Sequence, residues 1–154
     1  MNRVCELLSP DHVLVDLEAS SKKRVFERAG LLFETHQGLA RSKVFDSLLA
    51  RERLGSTGLG EGLAIPHGRI KGLQHAVAAV FRLREPVPFE APDGKPVSLL
   101  VFLLVPEQAT QQHLEILSEA AEMLSDLNLR DALLSAPTRE DLLEAVCSWR
   151  PALA

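Results

Sequence analysis

Apolar residues alternate with polar ones, or recur every three or four positions, along nearly the whole chain. The stretch VLVDL puts Val13, Val15 and Leu17 on one face, and this period of two predicts a strand. The turn residues SPDH precede it, and its mixed polar face favours a position at the edge of a sheet.

Two helical patterns follow this strand. The first begins after a cap at Ser20 or Ser21 and ends at Gly38, a residue that suits a helix C-terminus. The second begins after a cap at Ser42 and ends at Gly55. Their inward faces consist of apolar residues at helical spacing: Val25, Phe26, Ala29, Leu32, Phe33, and then Val44, Phe45, Leu48 and Leu49.

Two apolar segments in the second half of the chain predict strands, at 75–84 and 97–105. The turn EAPDGKP separates them, because Pro-Asp-Gly favours chain reversal. The second segment, VSLLVFLLV, is apolar almost throughout. We therefore expect a central strand that is covered on both faces.

Helical patterns return after residue 109. Thr110 begins one helix, a short segment NLRDALLSA follows, and Thr138 caps a last helix through a Thr-x-x-Asp box with Asp141. Helices thus bracket the strands at both ends of the chain. This order predicts an α/β fold: a three-layer sandwich in which helices flank both faces of a mixed sheet of about five strands. The 154 residues fit a single domain over 1–154.

Composition excludes several classes of protein. The net charge of −4 argues against nucleic-acid binding, and the basic run at 22–24 is explained as a solvated helix start. The longest apolar run, 97–105, falls far short of the ~20 residues needed to span a bilayer. The N-terminus lacks the apolar stretch of a secretory signal. Cys5 and Cys147 lie far apart without metal-type spacing, so free thiols and a cytoplasmic location are expected.

The segment GSTGLGEGLAIPHGR at 55–69 carries the most chemistry. Pro66 restricts the backbone before His67, and Gly68 adds no side chain that would shield the ring from a large partner. The glycine-rich backbone is able to point N–H groups at an anion. These features suit a nucleophilic imidazole that carries a charged group. On the residues alone, a structural loop histidine is an equally good interpretation.

Other chemistries lack their residues. No phosphate-binding glycine motif and no G-x-S-x-G hydrolase motif occurs in the chain. No histidine pair has the spacing of a helical zinc site, so neither a metal nor a cofactor is expected. His12, His36 and His75 fall in turns or at element ends, where a surface role is favoured.

Two stretches resemble a known family. RERLGSTGLGEGLAIPHGR is similar to the active-site segment of the enzyme IIA proteins of the phosphoenolpyruvate-dependent phosphotransferase system, fructose/mannitol class. The glycine segment is most similar to the nitrogen-regulatory branch, IIA-Ntr. LLVFLLVPEQATQQHLEILS is similar to the second family segment, a central strand followed by a histidine-bearing helix. The resemblance covers nearly the whole chain.

The resemblance assigns roles to three residues. His67 matches the phosphorylated histidine, His113 matches a second histidine beside it, and Arg51 matches an arginine that supplies positive charge. Arg53 is a less certain neighbour, and Glu61 would disfavour phosphorylation if it faced the site. The residues themselves leave plainer roles open, since a cation offsets the dipole at a helix end and His113 fits a capped first turn.

The function implied by the resemblance is that of a regulatory phosphocarrier rather than a free-standing small-molecule enzyme. An HPr-like carrier (NPr) would phosphorylate His67 at Nε2 while a backbone acceptor holds Nδ1, with the loop amides among the stabilising groups. Targets would include sensor kinases or potassium transporters. Two alternatives stay open: a sugar-specific enzyme IIA that passes phosphate to an enzyme IIB, and a binding module that is never phosphorylated.

Overall fold

The structure is a computed structural model that describes residues 2–151. The helices are α1 (Arg3–Glu6), α2 (Lys22–Gln37), α3 (Arg41–Leu54), α4 (Gln111–Ser125), α5 (Leu127–Ser135) and α6 (Arg139–Ser148). The strands are β1 (Val13–Leu17), β2 (Gly58–Gly60), β3 (Leu63–Ala64), β4 (His67–Ile70), β5 (Val77–Val87) and β6 (Val97–Pro106). None of the helices in residues 2–151 is long and apolar enough to cross a bilayer.

The strands form one mixed sheet in the order β1-β5-β6-β3-β2, with β4 also paired to β6. β5 and β6 are antiparallel, whereas β1 runs parallel to β5, and both β3 and β4 run parallel to β6. The predicted edge position of β1 and central position of β6 are confirmed. The sheet has six strands where about five were expected.

Alternate residues of β6 face opposite layers of helices. Leu100, Phe102 and Leu104 pack with α2 and α3, while Leu99 and Leu103 pack with α4, α5 and α6. Each of these side chains is at most 1% exposed. An apolar residue is needed at every position because both faces are covered, which explains the unbroken apolar run. The predicted three-layer α/β fold is confirmed.

The helix ends show which caps are local. Ser21 accepts from the Arg24 N–H at the start of α2, and Gly38 ends that helix at φ 69°. The cap predicted at Ser42 is wrong, because α3 begins one residue earlier, at Arg41. The Arg41 N–H instead donates to the Glu34 carboxylate at 3.2 Å, so a side chain of the preceding helix caps α3.

The cysteines correct the expectation of free thiols. Cys5 in α1 and Cys147 in α6 form a disulfide, and their Cα atoms lie 4.9 Å apart. Their separation of 142 residues in the chain gives no indication of this proximity. The fold packs the first helix against the last, and that packing brings the two thiols together.

His12 corrects a second expectation, because it is buried at 8% exposure and is not a surface residue. Its Nε2 accepts from the Gln37 amide at 3.0 Å, and its Nδ1 lies 2.7 Å from the Ser9 hydroxyl. Burial and the neighbouring His36 lower the pKa of His12. It is a neutral, fully hydrogen-bonded core histidine that joins the turn before β1 to the end of α2.

Candidate functional site

The backbone before and after His67 is held by its pairing with β6. His67 is the first residue of β4, and the preceding Pro66 carbonyl accepts from the Leu103 N–H of β6 at 3.0 Å. The ring nitrogen Nδ1 lies 2.9 Å from the Ile65 carbonyl oxygen. Because a carbonyl only accepts, Nδ1 carries the proton, and Nε2 of the neutral ring presents a lone pair.

The environment of His67 favours this neutral ring. Burial lowers the pKa of His67, and the positive charge of Arg51 lowers it further. The hydrogen bond to Ile65 and the negative charge of Glu52 act in the opposite direction without reversing the shift. An imidazole with a lowered pKa is largely unprotonated near neutral pH, and the unprotonated form is the nucleophile.

His67 lines a cavity of about 460 Å³ that lies between α3, β4 and the first turn of α4. Arg51 and His113 line the same cavity, so the structure brings together all three predicted site residues. No Asp or Glu of residues 2–151 lines it. The remaining wall is largely apolar, with contributions from Ala50, Leu54, Leu103, Val105, Leu114 and Leu117. A cavity with basic groups and no carboxylate suits an anion.

His113 is oriented by the cap of its own helix. The Thr110 backbone N–H donates to Nδ1 of the His113 ring at 2.9 Å, and the Thr110 hydroxyl accepts from the backbone N–H of His113, which completes a capping box. Since Nδ1 accepts, the proton of the neutral ring lies on Nε2. The capped-residue interpretation is therefore correct, and the same contact leaves Nε2–H as a donor.

The two arginines near the end of α3 lie in different places. Arg51 donates from Nη1 to the Gly55 carbonyl at 2.8 Å and also lines the cavity. Arg53 lines a separate surface depression, together with Lys22 and Glu90. The structure therefore places Arg51, and not Arg53, beside His67.

The glycine segment does not provide the expected anion-binding amides. None of residues 55–66 lines the cavity. The Gly58 N–H donates to the Ser56 hydroxyl, and the Glu61 N–H donates to the Asp93 carboxylate at 2.9 Å. Gly60 and Gly62 have positive φ, at 88° and 82°, and form the tight turn between β2 and β3. The segment 55–69 thus consists largely of short strands, and Gly60 and Gly62 serve the turn between two of them.

Glu61 lies away from His67, which removes the concern about its charge. Its side chain is half exposed and lies 4.0 Å from the Lys95 ammonium. Its carbonyl accepts from the Arg130 guanidinium at 2.7 Å. Neither Lys95 nor Arg130 lines the cavity that contains His67.

Gly68 is required for a reason that the sequence interpretation missed. A Cβ at this position would lie 2.3 Å from the Ser47 hydroxyl oxygen of α3. The Ser47 hydroxyl donates to the Arg69 carbonyl at 2.9 Å, so β4 lies directly against the helix. The glycine permits this close packing of strand on helix.

A buried carboxylate near the site was also missed. Glu52 is 7% exposed, and it accepts from the N–H and hydroxyl of Thr57, at 2.9 Å and 2.6 Å for the shorter contacts. Lys22 is its ion-pair partner. The Thr57 carbonyl in turn accepts from the Ile65 N–H, so Glu52 ties the end of α3 to the segment that holds His67. A glutamate between two helical arginines resembles a solvated residue, and no sequence signal distinguishes it.

Comparisons with known proteins agree on one family. Residues 6–148 match the family described as "Phosphoenolpyruvate-dependent sugar phosphotransferase system, EIIA 2". A nitrogen regulatory protein from Pseudomonas aeruginosa is 48% identical over 147 residues, which cover 95% of this chain and 96% of the relative. The resemblance drawn from the sequence is confirmed.

Solved structures of related proteins agree with the family assignment and the fold. The crystal structure of the nitrogen regulatory protein IIA-Ntr from Neisseria meningitidis is similar at a TM-score of 0.89 and 50% identity, covering 94% of this chain and 99% of that one. Enzyme IIA of the mannitol system from Escherichia coli, solved in complex with phosphorylated enzyme IIB, has a TM-score of 0.76 at 19% identity, with 92% and 98% covered. The second likeness concerns the fold alone.

Proposed function

The chain belongs to the EIIA type 2 family of the phosphoenolpyruvate-dependent sugar phosphotransferase system, and we propose that it is a regulatory phosphocarrier that accepts a phosphoryl group on His67. One observation carries the proposal: the orientation of the His67 ring. The Ile65 carbonyl accepts from Nδ1, which leaves the Nε2 lone pair free, and the cavity beside the ring is lined by basic side chains and by no Asp or Glu of the described residues. A nucleophile that receives an anionic group needs both features.

The donor is an HPr-like carrier (NPr) that bears a phosphohistidine. The Nε2 lone pair of His67 forms a new P–N bond as the P–N bond of the donor breaks, and the donor imidazole keeps that electron pair. Because one imidazole replaces another, little acid–base chemistry is needed. The rate then depends on in-line alignment and on stabilisation of the charge on the phosphoryl oxygens.

Two neighbouring side chains supply this stabilisation. His113 donates from Nε2–H to a phosphoryl oxygen, since its Nδ1 is already engaged by Thr110. Arg51 contributes a permanent positive charge from the last turn of α3. Both roles follow from contacts that hold each side chain at the cavity wall.

The partner docks over an apolar rim. Leu54 at the end of α3 is 85% exposed, and Leu114 in the first turn of α4 is 52% exposed. Both line the cavity. Covering them excludes water from the transferring group, and a small interface of this kind dissociates quickly enough for a relay.

The phosphorylation state selects the regulatory partner. A phosphoryl group adds up to two negative charges to His67, in the cavity that the exposed Leu54 also lines. This change favours one set of targets and repels another. The nitrogen-regulatory names of the relatives support targets related to nitrogen. Sensor kinases and potassium transporters are the partner classes that the family resemblance implies.

A reconstituted relay tests the proposal. The purified protein is incubated with phosphoenolpyruvate, enzyme I and the HPr-like carrier, and its mass is followed. We expect one acid-labile phosphoryl group on His67, and none in His67→Gln. The matched control is His75→Gln, which changes an exposed histidine outside the cavity and should be phosphorylated normally.

The other outcomes identify the alternatives. If every cognate carrier fails to phosphorylate the wild-type protein, the relay is wrong and the chain is a binding module. Efficient donation from the phosphorylated form to a sugar-specific enzyme IIB would place it in the sugar branch. The mannitol enzyme IIA, solved with its phosphorylated enzyme IIB, is the reason to include this arm.

A further inference from the structure

Arg69 shares the cavity with His67 because of the period of the strand that carries both. Side chains two residues apart on a strand point to the same face. In β4, Gly68 and Ile70 are buried, whereas His67 is half-buried and Arg69 is exposed. Both of the latter line the cavity.

The Arg69 guanidinium has no partner within residues 2–151. Its side chain takes part in none of the ion pairs found there, and the one side-chain hydrogen bond that involves this residue is accepted by its carbonyl. Arg51, in contrast, already donates to the Gly55 carbonyl. Arg69 therefore offers the complete fork of donors that matches phosphate oxygens.

The backbone of Arg69 is fixed. The Ser47 hydroxyl donates to its carbonyl at 2.9 Å, and β4 pairs with β6 at this residue, opposite Val105. Because the backbone of a paired strand is already ordered, little of the protein has to rearrange when an anion binds a charged side chain on it. A charged side chain on a mobile loop would have to be ordered first.

The charges in the cavity indicate that the Arg69 side chain binds an anionic group. A phosphoryl group on His67 carries up to two negative charges, and no Asp or Glu in the described part of the chain lines the cavity to compete for the arginines. We infer that Arg69 is a second guanidinium ligand of the phosphoryl group on His67, an inference that rests on the function proposed above. Arg69 exchanges no proton: the His67 Nε2 pair forms the P–N bond, the leaving group keeps the pair of the broken bond, and Arg69 neutralises oxygen charge throughout.

A small phosphoryl donor separates contact with phosphate from docking of a protein. Phosphoramidate phosphorylates imidazole directly, with release of ammonia, and it covers none of the apolar rim. Full-length wild-type protein, Arg69→Gln, Arg69→Lys and the control Arg53→Gln are treated with a range of phosphoramidate concentrations, and phosphorylated His67 is measured over time. Arg53 is exposed, has the same charge and lies outside the cavity.

Arg69→Gln should lower the rate at limiting phosphoramidate about fivefold, because it removes a charge-assisted contact at a partly exposed site. The loss should appear mainly as a higher KM. Arg69→Lys should recover part of the rate, Arg53→Gln should match the wild type, and added salt should narrow the difference. Titration with inorganic phosphate, followed by the NMR signals of the His67 ring, should show the same order of affinities.

Equal rates and equal phosphate affinities for Arg69→Gln and wild type would overturn this inference and leave the relay intact. A wild-type protein that reacts with phosphoramidate but not with the carrier would overturn the relay, while the Arg69 comparison still stands. A His67 that reacts with neither donor overturns both.

Discussion

Two histidines of one cavity are held by backbone groups of opposite polarity. The Ile65 carbonyl accepts from Nδ1 of His67, and the Thr110 N–H donates to Nδ1 of His113. The consequence appears at the far nitrogen of each ring. Nε2 is a nucleophilic lone pair on His67 and an N–H donor on His113. Two backbone contacts thus determine which nitrogen of each ring carries the proton, and therefore which ring is the nucleophile and which is the donor.

Substitutions at His113 should separate its capping role from its role in the cavity. Glutamine at the third helical position still completes a capping box, whereas alanine does not. We expect both His113→Gln and His113→Ala to slow phosphoryl transfer about tenfold, since both remove the imidazole donor. Only the alanine variant should lose about 1 kcal/mol of unfolding free energy. Stopped-flow transfer and urea denaturation measure the two effects, and unchanged transfer in both variants would remove His113 from the mechanism.

The pH dependence of phosphorylation should follow the His67 ring. The reactive form is neutral, so the rate rises with pH through the pKa of His67 and then reaches a plateau. Because burial lowers that pKa, the midpoint should fall below the ordinary value of about 6.5. NMR titration of the ring and the rate with a small phosphoryl donor should give the same midpoint. A midpoint above 6.5 contradicts the assignment.

Two charge variants check the sign of this prediction. Arg51 lowers the pKa of His67 and Glu52 raises it. Arg51→Gln should therefore move the midpoint up, and Glu52→Gln should move it down. Shifts in the same direction would mean that changes in burial, and not charge, dominate.

At the scale of elements, the site depends on the close contact between α3 and β4. The Ser47 hydroxyl binds the Arg69 carbonyl, and a Cβ at residue 68 would lie 2.3 Å from that hydroxyl. Gly68→Ala should destabilise the fold by about 1–3 kcal/mol, because the hydroxyl must rotate away from its bond or the elements must separate. Thermal or urea unfolding measures the loss.

A double-mutant cycle tests the cause. Ser47→Ala removes the obstructing oxygen, so Gly68→Ala should cost less in the Ser47→Ala background than in the wild type. The remaining cost reflects the Cβ and the carbonyl carbon of Ser47, each of which would lie 3.3 Å from the added methyl. Additive effects would show that the contact with the hydroxyl is not the constraint.

The sequence predicts those elements whose information is local. The helical period of α2 and the unbroken apolar run of β6 are each complete within the segment, and the Ser21 cap and Gly38 end lie in the chain next to the helix they bound. β2, β3 and β4 are two to four residues long and exist through pairing with one another or with β6, which no local pattern records. The cap on α3 comes from Glu34 of another helix and was missed for the same reason.

The residues of the candidate site also fall into two groups: those that the sequence predicts and those that depend on the tertiary structure. His67 is conspicuous between Pro66 and Gly68, and family resemblance adds His113 and Arg51. Arg69 was overlooked because its position matters only once β4 is known to be a strand. Glu52 was missed because its burial depends on Lys22 and on a loop that folds back over the helix end.

At the scale of the whole molecule, the first helix is joined both to the helix that carries His113 and to the last helix. The Arg3 N–H of α1 donates to Glu119 of α4 at 2.8 Å, and its guanidinium pairs with Glu115 at 3.1 Å. The disulfide between Cys5 and Cys147 then fixes α1 to α6. The layer of helices behind the sheet is therefore closed by a covalent bond.

Reduction of that bond should lower stability more than any single substitution above. Cys5 and Cys147 close a loop across 142 residues, and the chain-entropy estimate for such a loop is ~5 kcal/mol. We expect a reductant to lower the unfolding free energy by up to this amount and Tm by roughly 10–20 °C. The double variant Cys5→Ser/Cys147→Ser should be insensitive to reductant, which separates loss of the bond from other effects of the reagent. If wild-type protein with two intact cysteines unfolds at the same urea concentration with and without reductant, then packing alone holds α1 against α6, and the bond does not stabilise the fold.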